Sequence, residues 1–308
     1  MTTLKIGTRG SPLALAQVEL LSKALKKAHP ALALEVVKIV TSGDRIQDRA
    51  LSEAGGKGLF TKEIEEALLS GAIDCAVHSM KDMPTRLPDG LVIPCLLPRE
   101  DPRDAFFSRH KGSLDDLPQG AVLGTSSLRR QAIVLARRPD LKIVLLRGNV
   151  GTRLKKLEEG AVDATLLAVA GLKRLGQGDL VRHILEPDVM LPAVAQGAVG
   201  IEVREKDAAT REILSAVHCK VTELRVTAER AFLDVMDGSC RTPLAALLPA
   251  PDAQNRAKFD VLVARPDGSD VKTASYTAEV TDLKAANALG RRAGEELKAQ
   301  LPKGYLAA

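Results

Sequence analysis

Three groups of residues in this chain have types and spacings that could do chemistry. His78, Ser79, Lys81 and Asp82 crowd between a short apolar run, Cys75-Ala76-Val77, and Pro84. That puts an acid, a base and a hydroxyl at the carboxyl end of an expected strand, where open α/β sheets bind ligands. A strand end with a solvated Lys–Asp pair would look the same. The second group is basic. From Gly124 to Lys156 there are nine basic residues (Arg129, Arg130, Arg137, Arg138, Lys142, Arg147, Arg153, Lys155, Lys156) and one acid, Asp140, a net +8 in a chain of net +5. A surplus this local points to a specific anionic ligand rather than a diffuse affinity for nucleic acid. The third is Cys240, in the turn Gly238-Ser239-Cys240-Arg241-Thr242-Pro243. A neighbouring cation lowers a thiol pKa, which suits a nucleophile or a covalent attachment point. The histidines, at 29, 78, 110, 183 and 218, show no motif that would give Cys240 a general base. Attachment is therefore at least as good a reading as acyl transfer.

These groups need elements to hold them. Leu4-Lys5-Ile6 reads as a strand, followed by Gly7-Thr8-Arg9-Gly10-Ser11-Pro12 and an apolar-periodic helix from Leu13 to Leu25. Ser11 can cap that helix and Pro12 loses no bond at its first position, so the junction is an anion site with Arg9 beside it. Strands follow at Leu32–Val40, Ile73–His78 and Leu91–Leu97, with a helix at Thr61–Leu69. Because proline cannot donate into a ladder, the strand before Pro84 should end near Met83. This βαβαββ order predicts a largely parallel sheet. The polar, Gly-rich stretch Thr41–Gly58, which contains Lys57, has the length of a lid loop. Pro98–Pro102 marks a crossing into a second α/β round. There, Thr125-Ser126-Ser127 leads into a helix from Leu128 and Arg147-Gly148-Asn149 into one from Val150. Hydroxyls, glycine and guanidiniums at two helix starts suit carboxylate or phosphate recognition. After helices at Asp207–Val217 and Thr222–Asp237, strands from Leu244 and a helix at Leu283–Leu301 form a small α+β domain.

Composition limits the classes. A chain of 308 residues suggests two or three domains, and 45% hydrophobic residues allow a sizeable core. No apolar run reaches membrane-spanning length. The start lacks a signal-peptide pattern, so a cytoplasmic protein is expected, or an organellar one whose transit peptide has been removed. Aromatics at 2% argue against single-stranded nucleic-acid binding by stacking. The four cysteines have no metal spacing, and Cys75 and Cys95 read as small buried hydrophobes. No metal is expected.

Together, Gly7–Ala14, Gly55–Phe60, His78–Asp82, Gly124–Arg130, Arg147–Arg153 and Gly238–Cys240 resemble the porphobilinogen deaminase (hydroxymethylbilane synthase) family, in order and over nearly the whole chain. The resemblance implies an α/β protein: two type II periplasmic-binding-protein-like domains facing a cleft, and a small C-terminal α+β domain. The implied boundaries are 1–98, 99–194, a return segment of the first domain at 195–217, and 218–308. It implies a transferase of tetrapyrrole (porphyrin, haem) biosynthesis that condenses four porphobilinogens head to tail, losing ammonia each time, onto a dipyrromethane held by a thioether to Cys240. Hydrolysis then releases hydroxymethylbilane. The implied partners are porphobilinogen and the growing polypyrrole, with no nucleic acid and no membrane, on a monomer.

Carried over residue by residue, Asp82 is the catalytic carboxylate. Lys81, Asp82, Thr125, Ser127, Arg129, Arg130 and Arg147 accompany Cys240 at the cofactor. Arg9, Ser11, Arg147 and Arg153 bind substrate carboxylates, with Ser79, Gln17, Phe60, Arg174 and Gln196 near the same cleft. Two positions depart from the family pattern. Glu53 stands where some relatives have a lysine, and Ser239 where many have glycine. A solute-binding or ligand-sensing protein would also have a two-domain, arginine-lined anion site. It would need neither Cys240 nor Asp82.

Overall fold

The computed structural model describes residues 3–45, 60–238, 242–302 and 304–305. The first part of the chain runs β1 (Thr3–Arg9), α1 (Pro12–Ala28), β2 (Ala33–Ile39), the helical turn α2 (Ser42–Arg45), α3 (Lys62–Leu69), β3 (Cys75–Ser79), a 3-10 turn (Met80–Asp82) and β4 (Leu91–Leu96). The second round is β5 (Asp104–Ser108), β6 (Val122–Gly124), α4 (Leu128–Arg137), β7 (Lys142–Val144), α5 (Val150–Glu158), β8 (Ala164–Ala168), α6 (Val169–Arg174) and β9 (His183–Leu185). Then come β10 (Val199–Arg204), α7 (Ala208–Ser215), α8 (Lys220–Val235), β11 (Leu244–Leu247), β12 (Arg256–Ala264), β13 (Val271–Glu279) and α9 (Leu283–Lys298).

The chain divides into two compact units: Met1–Glu100 with Ala198–Glu223, and Asp101–Gly197 with Leu224–Ala308. The first holds a sheet of order β2-β1-β3-β10-β4. β2, β1 and β3 run parallel, while β10 is antiparallel to both β3 and β4. The second unit repeats the plan as β7-β6-β8-β5-β9, with β5 antiparallel to β8 and β9. Each sheet is largely parallel, as the element order predicts, with four strands running one way and a single strand, β10 or β5, against them. In each unit the antiparallel strand is the first after a crossing of the chain, and local sequence does not reveal where such a strand inserts. β5 and β9 were not foreseen.

Why these segments form these elements is physical. β3 is buried at Cys75 through His78, as a strand covered on both faces must be. On α1, Ala14, Val18, Leu21 and Leu25 face inward at helical spacing. They join Leu4, Ile6, Cys75, Val77, Cys95 and Ile201 in the first core. Cys75 and Cys95 are fully buried. Burial pushes the Cys95 thiol up to about 12 and the Cys75 thiol higher still, so both are inert packing residues. β3 ends at Ser79, short of the expected Met83. The chain turns there into the 3-10 turn, where the Met80 N–H donates to Ala198 O at 3.1 Å. The C-terminal sheet, β11-β12-β13, shares a core with α4 and β6 through Ala245, Leu247, Leu262 and Ala264 packed with Leu123, Ile133 and Val134. Among the described residues no helix is long and apolar enough to cross a membrane.

Candidate functional site

In the first unit a pocket opens at the carboxyl ends of β1 and β3, between the N-termini of α1 and α3. Arg9, Ser11, Gln17, Phe60, Ser79 and Asp82 line it, together with Thr61 and His78. Six residues singled out from the sequence therefore meet in one place. Ser11 Oγ accepts from the Ala14 N–H at 3.3 Å and caps α1, as its sequence suggests. The Arg9 guanidinium lies 4.1 Å over the Phe60 ring, a cation–π contact that stiffens a long side chain. Gln17 Nε2 donates to Ser79 Oγ at 2.7 Å, tying α1 to the end of β3. Asp82 and Lys81 are both exposed on the 3-10 turn, and Met80 anchors that turn in the core at 3% exposure. The pocket offers one guanidinium, hydroxyl and amide donors, and one carboxylate. It can hold an anionic group and set a negative charge against a developing cation.

In the second unit the predicted arginines form a buried cluster. Asp104, fully buried, accepts from Arg129 Nη2 and Arg130 Nη2, each at 2.7 Å. Gln196 Nε2 donates to the same carboxylate at 2.9 Å and to Pro102 O at 2.6 Å. Arg129 Nη1 also reaches Leu191 O, and Arg130 Nη1 reaches Leu166 O. Burial alone would raise the Asp104 pKa; the two arginines outweigh it and hold the carboxyl well below the usual range. Burial pulls the Arg129 pKa down while Asp104 opposes it. Two guanidiniums against one carboxylate leave a buried surplus of one positive charge. Asp104 was missed in the sequence because it opens β5, itself unforeseen, directly after the Pro98–Pro102 crossing.

The second unit also presents two capped helix N-termini. Thr125 Oγ1 accepts from the Ser127 N–H at 3.1 Å, and Ser127 caps α4. Asn149 Oδ1 accepts from the Thr152 N–H at 2.8 Å and caps α5. Gly148 before it has φ +116°, and a Cβ there would sit 2.7 Å from Thr152, so only glycine fits. Arg147 and Arg153 flank this terminus half-buried, and Arg153 Nε donates to Gly148 O at 2.9 Å. Arg174 Nη2 donates to Gly197 O at 2.6 Å, near the end of the segment carrying Gln196.

The sequence count of +8 overstates the folded charge. Arg129 and Arg130 pair with Asp104, Arg137 with Asp115, Arg138 with Asp140, and Lys155 with Glu159. Asp104, Asp115 and Glu159 lie outside the window in sequence. Cys240 and Lys57 fall outside the described residues, as do 46–58 of the expected lid.

The geometry and donor sets define an α/β protein that gathers guanidiniums, hydroxyls and backbone N–H groups at strand ends and helix starts, with a carboxylate at one of those places. The porphobilinogen deaminase dipyromethane cofactor binding domain model matches residues 4–212, and the porphobilinogen deaminase C-terminal domain model residues 223–299. The porphobilinogen deaminase of Paracoccus denitrificans (strain Pd 1222) is 54% identical over 304 residues, 98% of this chain and 96% of that protein. The chloroplastic porphobilinogen deaminase of Oryza sativa subsp. japonica is 52% identical, over 99% of this chain and 86% of its own. Among solved structures, the methionine-binding protein MetQ aligns with 70% of this chain and 89% of its own, at 17% identity and a TM-score of 0.43. The chain belongs to the porphobilinogen deaminase family.

Proposed function

We propose that this protein condenses porphobilinogen head to tail onto a covalent dipyrromethane and releases hydroxymethylbilane by hydrolysis, four substrates per product. The single observation that carries the reading is the convergence of Arg9, Ser11, Gln17, Phe60, Ser79 and Asp82 on one pocket of a chain in this family. Each porphobilinogen brings two carboxylates. Arg9 and the donors at Ser11, Gln17 and Ser79 hold them, and Phe60 keeps Arg9 in place. When the amine leaves, positive charge spreads onto the pyrrole nitrogen. The Asp82 carboxylate faces that N–H and stabilises the charge as it forms.

The residues of the second unit fit an anionic dipyrromethane by charge, since the Asp104 cluster is one negative charge short of balance. Thr125, Ser127, Arg129, Arg130 and Arg147 would hold its carboxylates, with Cys240 as the attachment point; the cofactor role the family resemblance gives Lys81 is part of the same proposal. Arg153, Arg174 and Gln196 would serve the growing chain. Bound there, the group supplies the nucleophilic carbon at which elongation starts. Its attachment, the three-domain partition at 1–98 with 195–217, 99–194 and 218–308, and a monomeric state all belong to this proposal.

The experiment is an intact mass and a product assay. Active wild-type protein should exceed its sequence mass by one dipyrromethane, and Cys240→Ser should lose both adduct and activity. An unmodified mass in active protein would overturn the covalent reading. Ligand binding without ammonia release would favour the solute-binding alternative.

A further inference from the structure

Behind the wall of the first-unit pocket lies a group of acids that the reaction as described leaves idle. His78 is 6% exposed and lines the pocket with Asp82 and Ser79. Its Nε2 is 3.0 Å from Oε2 of Glu202, which is fully buried on β10. In the ladder His78 lies opposite Gly200 and Ala76 opposite Glu202, so His78 and Glu202 share one face of the sheet. Glu65 of α3, also buried, belongs to the same group. Burial raises its pKa, with the charge of Glu202 adding to the rise and His78 opposing it. Glu202 Oε1 and Glu65 Oε1 are buried without a hydrogen-bond partner among the described residues. Two buried carboxylates and one imidazole cost stability that an apolar core would not, and a strand needs no such group to pack.

Coupling has a proton to dispose of. The aminomethyl group reacts as its ammonium form: the C–N bond breaks and ammonia leaves with the bonding pair. The resulting cationic carbon takes a π pair from the free α-carbon of the ring ahead of it, and the new C–C bond forms. The C–H bond at that α-carbon then breaks, and its pair restores the aromatic ring.

We propose that His78 accepts the α-proton in the coupling step, with Glu202 as the positioning residue that fixes its tautomer. A Glu202 oxygen that accepts from Nε2–H leaves Nδ1 as the ring nitrogen with a free lone pair. The proton passes on to the released ammonia, which departs as ammonium, so the step balances without another reactant. This rests on the pocket being the substrate site proposed above.

The test uses porphobilinogen carrying deuterium at its free α-carbon, with the cofactor-loaded wild type, His78→Gln, Glu202→Gln and Glu202→Asp. His78→Gln should lower kcat roughly a hundredfold, the scale of a lost general base, with KM within about twofold. The deuterium isotope effect on kcat should rise well above the wild-type value in His78→Gln and Glu202→Gln, because proton removal becomes slow. Glu202→Asp should recover part of the rate. An isotope effect is a ratio within one preparation, so a misfolded fraction cancels. If His78→Gln does not fold, the two Glu202 variants carry the test. Isotope effects equal to wild type in every variant that folds would overturn the proposal, whatever the loss of rate. A wild type that forms no product would instead overturn the reading of the pocket itself.

Discussion

Asp82 and Asp104 each follow a basic residue, Lys81 and Arg103, and the structure gives them opposite surroundings. Asp82 is exposed on its turn, so Asp82→Asn should change stability by less than about 0.5 kcal/mol. It should also cut turnover by orders of magnitude, because the charge goes and the shape stays. Asp82→Glu moves the charge by about one methylene, and misplacement of about an ångström can cost on the order of a hundredfold. Steady-state turnover on protein shown by mass to carry its cofactor checks both, and near-normal Asn activity would reduce Asp82 to a surface residue. Asp104→Asn should instead cost about 3–5 kcal/mol, since it leaves two buried guanidiniums without a counter-charge. Arg129→Ala leaves a balanced Arg130–Asp104 pair and should cost less. Urea unfolding of the two variants decides this, and equal losses would show that the charge surplus is not what matters. Arg147→Ala and Arg153→Ala should weaken carboxylate binding, each contact being worth roughly 1.5–3 kcal/mol. If both keep wild-type kinetics, α5 presents only a solvated face.

At the level of elements, Gly200 joins fold to site. A Cβ on this β10 residue would meet Met80 Sδ at 2.1 Å and Ile93 Cγ2 at 3.1 Å, and Met80 opens the turn that carries Asp82. Gly200→Ala should therefore cost about 1–3 kcal/mol by overpacking and lower kcat by displacing the turn. A melting curve together with kcat tests it; a lost melting temperature with unchanged kcat would show that the turn is insulated from its anchor. The helix starts were legible in the sequence because caps are local: Ser11-Pro12, Ser127 and Asn149 sit where the chain turns from strand to helix, and each accepts the bond its type suggests. The parallel core strands were legible from apolar runs bounded by glycine and proline. The place of β10 was not, because strand order is decided by partners distant in sequence. For the same reason the folded charge around Arg129 could not be counted from its neighbours. Glu65 and Glu202 were missed as well, since a single buried acid leaves no periodic signature.

The whole molecule distributes its acid sensitivity unevenly. In the second unit Asp101 is held below the usual carboxylate range by Arg103, Asp115 by Arg137, and Asp163 by the Val122 N–H; Arg138 holds Asp140 at about 2, and the arginine pair depresses Asp104. In the first unit Glu63 and Asp207 are lowered and Glu65 is raised. A depressed carboxyl contributes stability that is fully present above its unfolded pKa, about 3.9 for Asp. That contribution is lost as pH falls through the folded value. Between about pH 5 and pH 2, amide-exchange protection should therefore fall first in β5, β6 and β8. Earlier loss in β1 and β3 would show that these ion pairs do not govern acid unfolding. The order β3-β10-β4 also has a consequence for manufacture. A ribosome releases β1 to β4 long before β10 exists, and until then β3 has a bare inner edge and β4 has no neighbour in the sheet. Such edges recruit other chains. Nascent chains arrested at residue 100 should be digested readily by protease and occupied by chaperones, and resistance in the first unit should appear only once residues through 223 have emerged. The cell must shelter the pocket-bearing unit of this protein for more than a third of the time taken to make the chain.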